Sequence, residues 1–422
     1  MASPGESVAL TIEKPAAGGR MIARLDGQVV LVGGAIPGER VTARIERAGK
    51  GVLYAGTLSV DEPSPDRRTV SGDPLCGGCL YSHIAYPRQL DIKAQVIADA
   101  FGRIGRLKLP SGVQVSGSPE EGYRMRARLH VRGGRAGFFR EGTHEVCDAR
   151  TTRQLLPATC DTLDRLTAGL ASAGLDAVRE IDLSENIDAS DRVACFETAS
   201  PIDAAVLEQL ARIDGLSGLG PQASVTDTIA IGEAAPVVLR RNVLSFFQGN
   251  RYLLRDLVAH VTALVPAGAD LLDLYAGGGL FATTAAAIRQ ARVTAVEGDR
   301  VAAADLLYNA GGYAGVAVRH QPVEEFLERA PSPAAVVLVD PPRTGLSRAA
   351  LDGVIRLRAG RVIYVSCDVA TLARDARRLV DAGYEIVRAD GFDMFPNTPH
   401  VETVVVFDRP NPDSGLGARA SG

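Results

Sequence analysis

The sequence predicts an α/β protein with a small β-barrel, a central mainly-β domain and a doubly wound, largely parallel C-terminal sheet. Apolar strands alternate with helical segments from residue 242 to residue 409, which is typical of such a sheet. A glycine-rich turn after the first of these strands supports the same fold. The first 62 residues instead hold five short strands separated by turns, which predicts a closed barrel.

The composition describes a globular chain with no overall bias toward one kind of partner. The 422 residues are 46% hydrophobic and 23% charged, and the net charge is −4, so a nucleic acid would have to be recognised by a local patch. The N-terminus lacks a basic segment followed by an apolar run, and no apolar stretch approaches the ~20 residues of a membrane span. We therefore expect a cytoplasmic monomer that contacts no membrane.

We assign the barrel to residues 1–62 and the next segment, 63–111, to a linker that carries Cys76-Gly77-Gly78-Cys79 and a helix. The barrel strands are predicted at 7–12, 21–25, 28–32, 40–47 and 54–60, and the helix at 88–104. The six cysteines are residues 76, 79, 147, 160, 195 and 367. Without a secretory signal, cysteines favour metal binding or catalysis over disulfides. Cys160 and Cys195 are predicted to be core residues.

The central domain, residues 112–240, is predicted to be rich in strands, with a helix at 158–173. Three arginines, Arg124, Arg126 and Arg128, alternate along one strand and therefore share one of its faces. Like charges on one face repel each other unless an anion neutralises them, and an RNA phosphate backbone would do so. A solvated strand face is the alternative.

The C-terminal domain, residues 241–410, is predicted to be the Rossmann-like doubly wound sheet. Its strands are expected at 271–276, 292–298, 316–321, 335–340, 362–367, 384–389 and 401–407. Residues 411–422 are predicted to be a disordered tail.

The turn after the first of these strands is the predicted cofactor site. It reads Asp273-Leu274-Tyr275-Ala276-Gly277-Gly278-Gly279, and Glu297 ends the next strand about 20 residues later, where a carboxylate can accept both ribose hydroxyls. Such turns bind NAD and S-adenosylmethionine alike. Asp340-Pro341-Pro342 and Cys367, at two further strand ends, have no role in a simple dehydrogenase. They favour methyl transfer.

These motifs together resemble the RNA uracil-C5 methyltransferases, which make 5-methyluridine in transfer RNA and 23S ribosomal RNA. The matching motifs are Phe246-Phe247-Gln248-Gly249-Asn250, Asp273-Leu274-Tyr275, Asp340-Pro341-Pro342-Arg343, Val365-Ser366-Cys367-Asp368 and His400-Val401-Glu402. The first 62 residues are similar to the TRAM domain, an RNA-binding barrel, so the resemblance covers nearly the whole chain. It implies an S-adenosylmethionine-dependent RNA methyltransferase.

The resemblance also implies residue roles. Cys367 matches the nucleophile that adds to uracil C6, and Glu402 matches the base that removes the C5 proton. Cofactor contacts are implied for four residues: Gln248, Tyr275, Glu297 and Asp340. In the transfer-RNA branch an asparagine follows the tyrosine by five positions, and Leu280 stands there in this chain.

Members of the family that carry a 4Fe-4S cluster use four cysteines, and two of them are absent here. Cys76 and Cys79 match the central pair, but Val70 and Thr152 stand at the other two positions. We therefore expect no metal. Two alternatives stay open: a rewired cluster that uses Cys147 or His83, and a zinc site made of Cys76, Cys79, Cys147 and His83.

The TRAM-like barrel favours ribosomal RNA over transfer RNA as the substrate. Other activities remain possible on the sequence alone. An amino-methyltransferase also uses Asp-Pro-Pro, but it follows the motif with an aromatic residue where Arg343 stands, and it needs no cysteine. A non-catalytic RNA-binding protein would keep the barrel and the arginines, and an Fe–S oxidoreductase would need the absent ligands.

Overall fold

The structure of the protein is a computed structural model that describes residues 3–70, 72–175, 177–199, 201–330 and 335–410. The predicted disordered tail, 411–422, lies outside these residues. Within the described ranges, no helix is both long enough and apolar enough to cross a membrane.

The N-terminal strands close into the predicted barrel. They are β1 (Ser7–Pro15), β2 (Met21–Leu25), β3 (Gln28–Gly33), β4 (Arg40–Gly49) and β5 (Val52–Glu62). Their order is β1-β2-β3-β5-β4, and pairing of β1 with β4 closes the ring. Alternate residues of β4 point inward, so Val41, Ala43 and Ile45 are almost fully buried. The predicted barrel is confirmed.

The segment after the barrel packs against two domains: Tyr81, Ile84 and Ile92 belong to the core of the barrel, and the residues from Val96 onward belong to that of the C-terminal sheet. Helix α1 (Tyr86–Ala100) ends in one wider turn, Phe101–Gly105, and packs Ile97 and Phe101 into the core of the C-terminal sheet. The short strand β6 (Gln114–Ser116) pairs with a strand of that sheet. The boundary predicted at residue 112 had assigned this strand to the central domain.

The central domain is a six-stranded sheet with helices on one side. Its elements are β7 (Arg126–Arg132), β8 (Arg135–Phe139), β9 (Val146–Asp148), α2 (Pro157–Ser172), β10 (Val178–Glu185), β11 (Arg192–Thr198), α3 (Ala204–Ala211) and β12 (Gly218–Leu219). The strand order is β12-β11-β10-β7-β8-β9. Leu163, Leu166 and Leu170 of α2 pack against the apolar face of the sheet. The hairpin β13 (Ser224–Ile229) and β14 (Val237–Asn242) then leads to the C-terminal domain.

The C-terminal domain is the predicted doubly wound sheet. Its strands are β15 (Asp270–Leu274), β16 (Arg292–Glu297), β17 (Val316–His320), β18 (Val336–Val339), β19 (Arg361–Ser366), β20 (Glu385–Phe392) and β21 (Glu402–Asp408). Its helices are α4 (Leu254–Ala263), α5 (Leu280–Arg289), α6 (Arg300–Ala310), α7 (Val323–Glu328), α8 (Arg348–Leu357) and α9 (Val369–Asp381).

The order of the strands determines where a ligand binds. The sheet runs β17-β16-β15-β18-β19-β21-β20-β6, so the order reverses between β15 and β18. The five strands from β17 to β19 are parallel, and β21 inserts antiparallel beside β19. Open sheets of this kind bind ligands at the carboxyl ends of the strands, next to such a reversal.

Candidate active site

Cys367 and Glu402 lie at adjacent strand ends, as the sequence predicted. Strand β19 ends at Ser366, and Asp368 caps helix α9 by accepting hydrogen bonds from the amides of Ala370 (3.0 Å) and Thr371 (2.8 Å). Cys367 therefore occupies the tight turn between a strand and a helix. Ser366 pairs with Thr403 in the antiparallel ladder of β19 and β21. The next step of this register sets Cys367 opposite Glu402.

Asp340 lies at the same edge of the sheet. It follows β18, whose last residue, Val339, pairs with Leu274 on one side and Tyr364 on the other. The side chain of Gln248, only 4% exposed, hydrogen-bonds to Asp340 from the loop before α4. Two of the predicted cofactor residues are thus in direct contact.

Burial determines the protonation of the acids and the thiol. It raises the pKa of Asp340 to about 7, although the Gln248 hydrogen bond opposes the rise. It raises the pKa of Glu402 well above the ordinary value, and the Asp340 carboxylate raises it further. The Cys367 pKa rises to about 11 through burial and through the charges of Glu402 and Asp340. Arg343 opposes the rise in the pKa values of both Glu402 and Cys367. Its charge acts on both groups, and at Cys367 it also forms a hydrogen bond.

The glycine-rich turn has the backbone that a closely bound ligand requires. Gly277 and Gly279 have φ angles of +54° and +91°, and a Cβ on Gly279 would lie 2.8 Å from the Leu306 side chain. Tyr275 also has a positive φ of 61°, which is strained for a residue with a side chain. The Gly277 amide donates to Glu297 Oε2 at 2.8 Å. The turn and the acid at the end of β16 are therefore fixed to each other.

The residues around this turn fit S-adenosylmethionine. Asp273 is 1% exposed, its pKa is raised well above the ordinary value by burial, and its oxygens lack a partner at normal hydrogen-bond geometry within the described residues. Such an orphaned acid beside a glycine turn is suited to a bound polar ligand. Leu280 is 7% exposed and packs in the apolar core, so it makes no polar contact in place of the family asparagine.

The three arginines predicted to bind RNA do not share one environment. Only Arg126 and Arg128 lie on β7. Arg124 precedes the strand, donates to Gln154 Oε1 at 2.8 Å and stacks 4.8 Å from the Phe138 ring. The prediction that an anion neutralises all three charges is wrong for Arg128, because Asp182 (3.1 Å) and Glu180 (3.6 Å) on β10 already pair with it.

Among the three arginines predicted to bind RNA, Arg126 has a buried donor without a partner within the described residues. Its Nε is buried without a hydrogen-bond partner within the described residues, and its pKa falls to about 10 because burial disfavours the charged form. The guanidinium lies 6.0 Å from the ring of Phe246, which is 61% exposed. An exposed ring beside an unpaired cation can stack on a base.

Several residues of the site were given no role from sequence. The closeness of Arg343 to Cys367 and Glu402 follows from the parallel pairing of β18 and β19, which motif spacing does not reveal. Desolvation by its surroundings, together with the charge of Arg343, lowers the pKa of His400 to about 4, so it is neutral at pH 7. Phe246 lies in the motif Phe246-Phe247-Gln248-Gly249-Asn250, two positions before the predicted cofactor residue Gln248, and this closeness in sequence indicates a place near the site.

The cysteine pair near residue 76 is not arranged as a metal site. Cys76 forms a disulfide with Cys147, with 5.9 Å between their Cα atoms, so the expectation of metal or catalysis before disulfides is wrong for these two. Cys79 is a buried free thiol, and burial raises its pKa to about 11. His83 hydrogen-bonds through Nε2 to the Ala35 carbonyl (3.2 Å). Cys160 and Cys195 are buried, as predicted.

The residues present do not fit a 4Fe-4S cluster or the zinc site considered above. Thr152 donates its hydroxyl to the Ala149 carbonyl at 2.7 Å, and the Gln154 amide donates to Gly78 O at 3.0 Å between the two cysteines. No group of three or more His, Cys, Asp or Glu side chains in the described ranges is arranged to hold a metal ion. That the protein binds no metal stays a prediction.

Two family models match the chain. One, described as tRNA (Uracil-5-)-methyltransferase, matches residues 332–410, which include Asp340, Cys367 and Glu402. The other, the TRAM domain, matches residues 2–58 and thus the barrel.

The chain is similar to 23S rRNA (uracil(1939)-C(5))-methyltransferases along nearly its whole length. The Pseudomonas putida protein is 33% identical over 433 residues, which cover 96% of this chain and 94% of that protein. The Methylococcus capsulatus protein is 32% identical, with 96% and 98% covered. The structure of a Pyrococcus abyssi tRNA (uracil-54, C5)-methyltransferase has the same fold, with a TM-score of 0.71, 23% identity, and coverage of 95% of this chain and 100% of that one. The chain belongs to the family of RNA uracil-C5 methyltransferases.

Proposed function

We propose that the protein methylates C5 of a uridine in 23S ribosomal RNA, with S-adenosylmethionine as the methyl donor. The observation that carries this proposal is the strand register that sets Cys367 opposite Glu402, beside Asp340 at the end of β18. A nucleophile, a base and an acid on the cofactor side are then within one edge of the sheet. The similarity to 23S ribosomal RNA enzymes, 33% and 32% identity over nearly the whole chain, supports the choice of substrate.

The nucleophile is the Cys367 thiolate. Its sulfur adds to C6 of uracil, and the electrons of the C5–C6 double bond move to the C4 carbonyl to give an enolate. S-adenosylmethionine supplies an electrophilic methyl group, which C5 of the enolate takes as the carbon–sulfonium bond breaks. The thiol is mainly protonated at pH 7 because its pKa is about 11, so Arg343 has the role of stabilising the thiolate.

The base is the Glu402 carboxylate. It removes the proton from C5, the electrons re-form the C5–C6 double bond, and the bond from C6 to the Cys367 sulfur breaks. Because burial raises the pKa of Glu402, its carboxylate is a stronger base than an exposed one. The thiolate is regenerated, so the protein is unchanged after one turnover.

The cofactor is held by the residues around the glycine turn. We assign the ribose hydroxyls to Glu297, which accepts from the Gly277 amide, and further cofactor contacts to Tyr275, Gln248 and Asp340. RNA reaches the site along the face that carries Arg126 and Phe246, where an exposed ring is available to a base that has left its stack. We place the activity in the cytoplasm, with its substrate.

Methyl transfer to defined RNAs tests the proposal. Purified protein is incubated with S-adenosylmethionine and either a 23S ribosomal RNA transcript or a transfer RNA transcript, and 5-methyluridine is measured by mass spectrometry. We expect the product in ribosomal RNA, and its complete loss in Cys367→Ser. The matched control is Cys195→Ser, which removes a buried thiol remote from the site.

Three results would contradict it. Formation of 5-methyluridine in transfer RNA alone would show that transfer RNA, and not 23S ribosomal RNA, is the substrate. Full activity of Cys367→Ser would end the covalent mechanism and favour an amino-methyltransferase. Binding of S-adenosylmethionine without methylation of any RNA would favour a non-catalytic RNA-binding protein.

A further inference from the structure

Three sulfur atoms lie together where β8 and β9 meet the Cys-Gly-Gly-Cys segment. Cys76 and Cys147 are joined as a disulfide, and the Cys79 thiol belongs to the same buried cluster. All three are 6% exposed or less, and Phe138 packs against them. The Cys79 amide donates to the Cys76 carbonyl at 2.8 Å, so the two cysteines share one tight turn.

We propose that Cys76, Cys79 and Cys147 form a thiol–disulfide exchange site that reacts with dithiols. A dithiol reductant transfers two electrons and two protons to the Cys76–Cys147 disulfide, which becomes two thiols as the reductant becomes a disulfide. Within the protein, the Cys79 thiolate attacks either sulfur of the bridge. A new bond from Cys79 forms, the old bond breaks, and the departing thiolate takes up the proton that Cys79 released.

The surroundings of Cys79 leave room for such a reaction. A cavity of about 170 Å³ adjoins this residue. Its lining residues are Arg68, Thr69, Cys79, Ser82, Glu120, Glu121, Thr152, Arg153 and Asn397. The Ser82 hydroxyl oxygen is buried without a hydrogen-bond partner within the described residues. Polar lining and an unused hydroxyl suit a small polar molecule next to the thiol.

The sulfur cluster is linked to the proposed RNA face through Arg124. Phe138 packs against the three cysteines, and the centre of its ring lies 4.8 Å from the Arg124 guanidinium. Gln154 bridges the same two places, since its amide donates to Gly78 O at 3.0 Å and its Oε1 accepts from Arg124 at 2.8 Å. The bridge from Cys76 to β9 therefore holds in place the loop on which Arg124 depends.

A second link reaches the loop that precedes Glu402. The Tyr81 amide donates to the Asn397 carbonyl at 2.8 Å, and Arg68 donates to Asn397 Oδ1 at 2.7 Å. Asn397 itself has a φ of 63°, a conformation that needs such support. Opening the bridge is expected to loosen these contacts and to weaken RNA binding. This consequence rests on the proposed function, whereas the sulfur chemistry does not.

Alkylation and mass spectrometry of the full chain test the exchange site directly. The purified protein is denatured and alkylated without reduction, and it is expected to give a linked Cys76–Cys147 peptide and four alkylated cysteines. After treatment with dithiothreitol, all six cysteines should be alkylated. Partial re-oxidation is expected to give bridges that contain Cys79 in the wild type and in Cys160→Ser, but only the 76–147 bridge in Cys79→Ser. Stoichiometric iron or zinc bound to the purified protein, or three thiols that never form a bridge, would overturn the proposal.

RNA affinity tests the link to the active site. The Kd for the 23S ribosomal RNA transcript is expected to rise at least threefold on reduction of the wild type and of Cys195→Ser. Cys147→Ser should have a higher Kd than the oxidised wild type, and dithiothreitol should not change it. If this variant does not fold, the Kd of the reduced wild type tests the link instead. An unchanged Kd despite complete reduction would overturn the link. The methyl-transfer assay with oxidised protein separates that result from failure of the proposed function.

Discussion

Replacing Glu402 by glutamine removes the proposed base and leaves a side chain of the same size. Glu402 is 3% exposed, so water has little access to take over its role. Loss of a positioned general base lowers turnover about 10²–10⁴-fold. Addition of the thiol and methyl transfer come before the base acts, so they continue. We therefore expect a methylated RNA–protein adduct, bonded from C6 to Cys367, to accumulate.

The adduct is measured by denaturing gel electrophoresis with S-adenosylmethionine labelled in its methyl group. One methyl group per covalent complex is expected for Glu402→Gln, and only a trace for the wild type. Glu325→Gln, which changes an exposed acid on α7, is the matched control and should behave as the wild type. Turnover of Glu402→Gln within tenfold of the wild type, or lost turnover with no adduct, would refute the assigned role.

The same variant changes stability in a direction that burial determines. Because the folded protein raises the pKa of Glu402, its contribution to stability is fully present below the unfolded pKa and is lost as pH rises through the folded pKa. One such proton corresponds to at most about 1.4 kcal/mol of unfolding free energy per pH unit. Relative to the wild type, Glu402→Gln should therefore gain thermal stability between pH 5.5 and 8.5. An equal melting-temperature difference at both pH values would contradict the assigned shift.

Three further predictions concern the free enzyme. The kcat/KM for RNA should rise with pH between 6 and 9, since Cys367 and Glu402 must both be deprotonated and burial raises both pKa values; a flat profile would contradict this. Asp340→Asn should raise the Kd for S-adenosylmethionine tenfold or more by calorimetry, because it removes a partly buried carboxylate at the end of β18, between β15 and β19, and an unchanged Kd would exclude the contact. Arg126→Ala should raise the KM for RNA and reduce the slope of log KM against log salt concentration by about one. Arg128→Ala is its control and should affect RNA little, and stability by under about 1 kcal/mol, since its ion pairs are half-exposed.

Strong local signals made much of the fold predictable from the sequence. Strand β2 was predicted with its observed bounds, Met21–Leu25, because Gly19 and the turn Asp26-Gly27 enclose an apolar run. Helix α2 was predicted within a residue of each of its observed ends, Pro157 and Ser172. Strand β6 was not predicted, because three residues are too few to show a period of two, and their partner on β20 is remote in sequence.

The site was predictable where its residues end successive strands. Cys367 and Asp340 follow the parallel strands β19 and β18, so the fold alone brings them to one edge. Contacts across large sequence separations were not predictable from one chain. Asp182, which pairs with Arg128, is 54 residues away, and the cysteines of the disulfide are separated by 71. Alternating charged residues along one strand show that their side chains share a face. Whether those charges are already paired depends on the residues of the neighbouring strand.

Charge in the site suggests that cofactor binding prepares the nucleophile. Arg343 lowers the pKa values of both Cys367 and Glu402 in the free protein, while Asp340 raises them. A positive sulfonium held near Asp340 would offset that carboxylate, and the thiol pKa would fall. Sinefungin, which carries an ammonium in place of the sulfonium, should therefore speed iodoacetamide alkylation of Cys367 at pH 7.5 more than neutral S-adenosylhomocysteine does. Equal rates with the two analogues at saturation would show that the charge has no effect on the thiol, and that Arg343 alone must support the thiolate.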